Sequence, residues 1–267
     1  MKIALIQMTS VLDYKINLEK IDSWLAQAKI QNATHVFLPE SFYSFSNGIE
    51  VTPYFLAPGN SHENHIKALA KKHRLNLWGG SCIYKIGNNY LNRALFINEQ
   101  GEIINHYDKM HLFYFNNTTP GQVSHDEASK YKAGNSLTFC PWDKEWLLGA
   151  SICYDVRFPE LYRKYSTAGA NVLTVASAFT IPTGQAHWHN LLKARAIENL
   201  SFVIASAQWG KHNDRISTFG HSLIVSPWGE ILVDMKEGEG LQVCDLDIQK
   251  VKEARTKLSN LWSNFLM

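Results

Sequence analysis

A cysteine closes the apolar run in Leu147-Leu148-Gly149-Ala150-Ser151-Ile152-Cys153-Tyr154-Asp155-Val156-Arg157-Phe158-Pro159-Glu160. The run reads as a buried strand and Pro159 suits the first position of a helix, which puts Cys153 on a strand-to-helix elbow. Backbone N–H groups and the helix dipole at such an elbow favour negative charge. In such a setting a thiolate can form well below the free cysteine value of about 8.5. Two other strand ends carry complementary groups. Val36-Phe37-Leu38-Pro39-Glu40 sets a carboxylate just past a buried strand, a setting in which partial desolvation makes a better base. Tyr107-Asp108-Lys109-Met110-His111-Leu112-Phe113 sets an ammonium at a strand end beside apolar residues. A nucleophilic thiol needs a base and a group to hold an oxyanion, and Glu40 and Lys109 are of those types. Taken singly, each has a plainer account: a core thiol, a solvated carboxylate, a lysine paired with Asp108.

The elements that must position them alternate between strand and helix patterns, which predicts a layered α/β architecture. Strands are predicted over residues 2–7, 35–39, 76–84, 91–98 and 103–107 in the first half. Helices are predicted over 17–30, with Leu18, Ile21, Leu25 and Ala28 at helical spacing, and over 63–73. Asn88-Asn89 reads as a hairpin turn. Residues 109–135, with Pro120 and several Gly or Asn turns, form a long loop of the kind that is usually functional. The second half predicts strands over 136–140, 145–152, 171–176, 202–207, 221–226, 231–234 and 241–245. Its helices fall over 159–166 and 185–199, the latter with Trp188, Leu191, Leu192, Ala196 and Ile197 facing inward. No linker, repeat or low-complexity tract interrupts the chain, so one domain over residues 1–267 is expected.

Composition narrows the partners. The 267 residues carry 26 Lys+Arg against 24 Asp+Glu, a net charge of +2, which lacks the basic excess of proteins built to grip nucleic acid or anionic lipid. Aromatic residues at 12% and recurrent apolar runs argue against disorder. No window holds the ~20 apolar residues of a membrane span, and the N-terminus lacks a signal-peptide pattern. Cys82, Cys140, Cys153 and Cys244 are scattered with no CxxC pair, so they read as reduced thiols of a cytoplasmic protein, the other three in ordinary strand patterns.

Taken together, the FLPE, YDKMHLF and ICYDVRFPE segments resemble, in type, order and context, the nitrilase superfamily of carbon–nitrogen hydrolases. The resemblance runs from Ala4-Leu5-Ile6-Gln7-Met8 through His221-Ser222 to Pro227-Trp228-Gly229-Glu230. It implies a four-layer α-β-β-α sandwich in a single domain and a catalytic triad of Glu40, Lys109 and Cys153. Glu127 corresponds to a second family glutamate, with Asp126 as its neighbouring competitor. In that scheme Glu40 is general base and acid, Cys153 the nucleophile forming a thioester, and Lys109 with the Tyr154 N–H the oxyanion site. Neither a metal nor an organic cofactor is required. The family is usually at least dimeric, which implies a homodimer or higher homo-oligomer using apolar positions on residues 158–166 and 185–199.

The segment from Ser177 to Trp188 and Lys193-Ala194-Arg195-Ala196-Ile197-Glu198-Asn199 resemble the branch acting on amides of 2-oxo acids. Ala205-Ser206-Ala207-Gln208-Trp209-Gly210-Lys211-His212 leans toward deaminated glutathione as the small-molecule substrate, with omega-amidase action on 2-oxoglutaramate as the alternative. Nitrilases proper and carbamoylases fit the segment around Phe179 less well. Arg157 is the cation placed to meet a substrate carboxylate, or else pairs with Asp155 or Glu160. Tyr43, Phe179 and Thr180 are expected to line the pocket, although core packing explains Phe179 equally. His187-x-His189 lacks the i,i+4 geometry of a helical zinc pair. Gly79-Gly80 lacks the Lys-Ser/Thr of a phosphate loop. A reading of another class is a non-catalytic binding protein that retains the fold; the intact Glu40, Lys109 and Cys153 stand against it.

Overall fold

The computed structural model describes residues 1–115 and 125–259. Pro120 of the predicted loop lies outside them. The first half runs β1 (Lys2–Gln7), α1 (Tyr14–Ile30), β2 (His35–Phe37), α2 (Ser61–His73), β3 (Asn76–Ile86), β4 (Asn89–Ile97) and β5 (Ile103–Asp108). A short pair, β6 (Tyr114–Phe115) and β7 (His125–Asp126), then leads to β8 (Phe139–Pro141) and β9 (Leu147–Ile152). A 3-10 turn over Cys153–Arg157 opens α3 (Pro159–Thr167), followed by β10 (Val172–Ala176), α4 (Ile181–Asn199) and β11 (Phe202–Ala205). The remainder comprises β12 (Trp209–Lys211), β13 (Ser217–Phe219), β14 (Leu223–Val225), β15 (Ile231–Asp234), β16 (Gly240–Asp245) and α5 (Ile248–Lys257).

Two six-stranded mixed sheets result, ordered β16-β1-β2-β3-β4-β5 and β15-β14-β11-β10-β9-β8. Each has three parallel strands at its centre, β1-β2-β3 in one and β9-β10-β11 in the other, with antiparallel strands outside. Because strand side chains alternate, β1 feeds two cores at once. Ile3 and Leu5 join Phe37, Phe96, Ile152 and Val175 in a core between the sheets, which continues outward to Trp188 and Leu192 of α4. Ala4 and Ile6 turn the other way to Ile21 and Leu25 of α1 and Ile66 of α2. The molecule is the expected α-β-β-α sandwich.

Several boundaries moved for local reasons. Helix α1 begins at Tyr14 because the Asp13 side chain caps it, accepting from the Lys15 N–H at 2.9 Å. Helix α4 begins at Ile181, since Pro182 sits in its first turn where no N–H is needed. Ile197 is 45% exposed rather than inward; Arg195 and Asn199 are buried beside Trp188, Leu192 and Ala196 instead. Arg195 is tolerated there because its Nε donates to the Val156 carbonyl at 2.9 Å and it pairs with Glu198 at 2.7 Å. Leu161, Tyr162 and Tyr165 of α3 are buried within the chain itself, so the apolar positions of that helix are not free for another subunit.

Candidate active site

Glu40, Lys109 and Cys153 come from three strand ends on both sheets and line one cleft of about 900 Å³ that opens to solvent. Glu40 follows β2, where the chain crosses close over β3: the Leu38 N–H donates to the Trp78 carbonyl at 3.3 Å and the Ser81 N–H to the Pro39 carbonyl at 3.2 Å. The crossing explains the glycine pair. A Cβ at Gly80 would stand 2.4 Å from Leu38 Cβ, and the β3–β4 register shifts at this point. Lys109 is pinned on both backbone groups, its N–H donating to Asn92 and its carbonyl accepting from Gly134, each at 2.9 Å. Gly134 has no freedom to change, since a Cβ there would lie 2.2 Å from the Asp108 carbonyl oxygen. Cys153 adopts the left-handed φ of +49° at the elbow after β9.

Asp155 joins the cysteine elbow to the lysine segment. Fully buried, it accepts from the Ile152 N–H at 2.9 Å, the Tyr107 hydroxyl at 2.8 Å and the His111 N–H at 2.9 Å, with the His111 ring Nδ1 at 2.7 Å. His111 in turn stacks on Phe158, centroids 3.6 Å apart. A buried carboxylate with this many donors is anchored, and so is whatever it ties together.

Lys109 is 1% exposed and lies between two carboxylates, its Nζ 3.0 Å from Glu40 Oε1 and 2.8 Å from Glu127 Oε2. Asp108 is taken instead by Arg93, at 2.7 Å. Glu127, not Asp126, reaches the lysine; Asp126 is exposed and accepts from the Ala128 N–H at 2.9 Å. Glu127 Oε2 also accepts from the Phe113 N–H at 2.7 Å. Glu40 is buried rather than solvated, its Oε1 accepting from Asn92 Nδ2 at 2.8 Å and its main-chain carbonyl from Gln208 Nε2 at 2.9 Å.

The electrostatics differ from the elbow expectation. Burial pushes the Cys153 thiol well above the ordinary cysteine range, and the Glu40 charge adds to it; Lys109 and the Ala178 backbone pull the other way without prevailing. Burial also raises Glu127 above the usual carboxylate range, with Lys109 opposing. For Lys109 burial works against the charge, but Glu127, Glu40 and Cys153 outweigh it and hold the ammonium well above its usual value. The resting site therefore holds a protonated thiol and a charged lysine. An isolated helix dipole does not offset full burial beside two carboxylates.

Tyr154, Arg157, Phe179 and Thr180 line the cleft as expected. Arg157 forms no ion pair with Asp155 or Glu160 among the described residues; its guanidinium lies 5.5 Å from the Phe179 ring centre, 5.8 Å from that of Tyr154 and 3.3 Å from His187 Nδ1. Tyr43 does not line it. Its ring stacks on Tyr14 and its hydroxyl meets His62 Nδ1 at 2.8 Å and His65 Nδ1 at 3.0 Å, on the α1–α2 side of the first sheet. Asn92, Ser46, Lys130, Tyr131 and Thr183 line the cleft without having been anticipated. None carries a sequence signal: Asn92 stands in β4 between Leu91 and the charged Arg93, and only pairing across the sheet sets it apart.

Residues 2–256 match the carbon–nitrogen hydrolase family model, and the chain belongs to that family, whose members are hydrolases of carbon–nitrogen bonds. Among its relatives, the deaminated glutathione amidase of Synechocystis sp. (strain PCC 6803 / Kazusa) is 37% identical over 263 residues, covering 97% of this chain and 96% of the relative. The crystal structure of the C. elegans NitFhit protein superposes with a TM-score of 0.87 at 32% identity, covering 99% of this chain and 65% of that longer one. A mutant amidase from Nesterenkonia sp. AN1, described as carrying acrylamide added at the active-site cysteine, superposes with a TM-score of 0.77 at 25% identity over 98% of this chain and 99% of that one.

Proposed function

We propose that the chain is a cysteine-dependent amidase, its whole 267-residue length one hydrolase unit, acting on the amide of a small 2-oxo acid, deaminated glutathione first among them. The observation that carries the reading is Lys109, buried as a cation between Glu40 and Glu127 on the floor of the cleft that holds Cys153. Amides are poor electrophiles with poor leaving groups, so the work divides into two steps. Glu40 takes the Sγ proton as sulfur bonds to the carbonyl carbon. Lys109 Nζ and the Tyr154 N–H hold the oxyanion, each such donor contributing about 2.7–4 kcal/mol in enzymes that use them. On collapse the C–N bond breaks and Glu40 passes the proton to the departing nitrogen. Glu40 then deprotonates water, which attacks the thioester; the C–S bond breaks and the thiol regains its proton. Glu127 holds Lys109 from the far side and keeps its charge in place.

Arg157, at the cleft wall and unpaired with Asp155 or Glu160, receives the 2-oxo acid carboxylate, while Phe179 and Thr180 border the acyl chain. We extend the reading to a cytoplasmic homo-oligomer: among the described residues no helix is long and apolar enough to cross a membrane, and α4 leaves Ile181 and Ile197 exposed. The test is turnover of deaminated glutathione and of 2-oxoglutaramate, read as released 2-oxo acid. Deaminated glutathione is expected to give the higher kcat/KM, and Cys153→Ala to lose roughly a thousandfold or more. Failure of the folded protein to turn over either compound overturns the substrate. Preference for 2-oxoglutaramate reassigns it as an omega-amidase.

A further inference from the structure

Outside the cleft, His189 of α4, His221 just before β14 and Asp234 at the end of β15 converge, their ligand-capable atoms all within 4.8 Å of one another. His189 Nε2 lies 3.2 Å from Asp234 Oδ2, and His221 Nδ1 lies 2.9 Å from Asp234 Oδ1. A tetrahedral zinc ion with bonds of about 2.0–2.1 Å needs neighbouring donor atoms roughly 3.3 Å apart, a spacing that the two histidine-to-carboxylate separations already approach. None of the three lines the cleft, and no step of the hydrolysis uses them. Their side chains are 29%, 20% and 22% exposed, which leaves an ion a route in and room for water as a fourth ligand.

The scaffold around them is rigid. His221 holds a left-handed φ of +55°, a conformation costly for a residue with a Cβ unless its surroundings impose it. Here they do: its N–H donates to the Lys236 carbonyl at 2.9 Å and its carbonyl accepts from Trp188 Nε1 at 2.7 Å. Its ring is stacked on Phe219, centroids 4.3 Å apart, and the His189 ring stands edge-on at 4.9 Å. Two imidazoles and a carboxylate suit a borderline divalent ion better than calcium or magnesium, which prefer all-oxygen sets. His189 therefore finds its partners across space rather than in the His187-x-His189 pair.

We propose that His189, His221 and Asp234 form a three-ligand site for a divalent transition-metal ion of the zinc type, which fastens α4 to the β14–β15 hairpin. The test uses the full chain without an affinity tag, freed of metal by a chelator and carrying Cys153→Ala so that this thiol cannot compete. Cobalt(II) is titrated by visible absorption and zinc by calorimetry, with thermal unfolding followed at each stage. One ion per chain, the intense visible bands of four-coordinate cobalt without sulfur charge transfer, and a raised Tm are expected. His189→Gln and Asp234→Asn should each weaken binding at least about tenfold and remove the Tm increase, with circular dichroism showing the fold retained. Absence of cobalt bands in the parent, or binding equally tight in both folded variants, overturns the site.

Discussion

At the scale of single residues, Glu40 is loaded asymmetrically. Its Oε1 accepts from both Asn92 Nδ2 and Lys109 Nζ, at 2.8 and 3.0 Å, which in the proposed mechanism leaves Oε2 to take the thiol proton. Asn92 also receives the Lys109 N–H on its own carbonyl, so one residue holds both Glu40 and Lys109, the proposed base and the proposed oxyanion donor. Hydrogen bonds to charged groups contribute about 1.5–3 kcal/mol, and Asn92→Ala should therefore lower kcat some 10- to 100-fold with little change in KM. Steady-state kinetics on the folded variant checks this; an unaltered kcat removes Asn92 from the machinery. Glu40, Lys109 and Cys153 were readable as strand-end residues. Asn92 was not, because its partners lie on other strands and only pairing across the sheet brings them to it. The thiol's direction was not legible for a related reason: sequence shows the elbow but not the burial.

At the scale of elements, the elbow and the lysine segment are one unit joined by Asp155. Asp155→Ala leaves the Tyr107 hydroxyl, the Ile152 N–H and the His111 N–H without their acceptor. Buried unpaired groups cost about 1–3 kcal/mol each, so a loss of roughly 3 kcal/mol or more of unfolding free energy is expected, together with a fall in kcat. Chemical denaturation measures the first, and a loss under 1 kcal/mol would contradict the role given to Asp155. Most elements were legible from apolar periodicity, including β1, α1, α2 and the β3–β4 hairpin. Helix α5 was not, since only Val251 and Ala254 of its ten residues are buried and its polar composition gives no stripe. The β12–β13 hairpin escaped as well, being two three-residue strands whose register depends on tertiary contacts.

At the scale of the whole molecule, burial of neutral histidines links stability to pH. His212, stacked on Phe45 with centroids 4.0 Å apart, has its pKa lowered by burial to about 4, and burial lowers His35 to about 3. Unfolding returns both to about 6.5, so below that pH the unfolded chain binds more protons than the native one and stability falls as pH falls. The loss runs from about pH 6.5 down to about 4 for His212 and about 3 for His35, at up to ~1.4 kcal/mol per pH unit for each. Equilibrium unfolding across that range should show the decline, and His212→Gln should shallow it. A flat profile would show that these histidines are not buried as neutral groups. The sandwich that produces this acid lability also brings three strand ends from two sheets to one cleft, an arrangement no single segment encodes.

In the proposed mechanism Cys153 carries the acyl group. Intact-protein mass spectrometry of enzyme quenched during turnover of deaminated glutathione, followed by peptide mapping, tests it directly. A mass increase equal to the 2-oxo acyl group is expected, located on the Cys153 peptide and abolished together with turnover in Cys153→Ala. Turnover that persists in Cys153→Ala, or an acyl group located on any other residue, would contradict it.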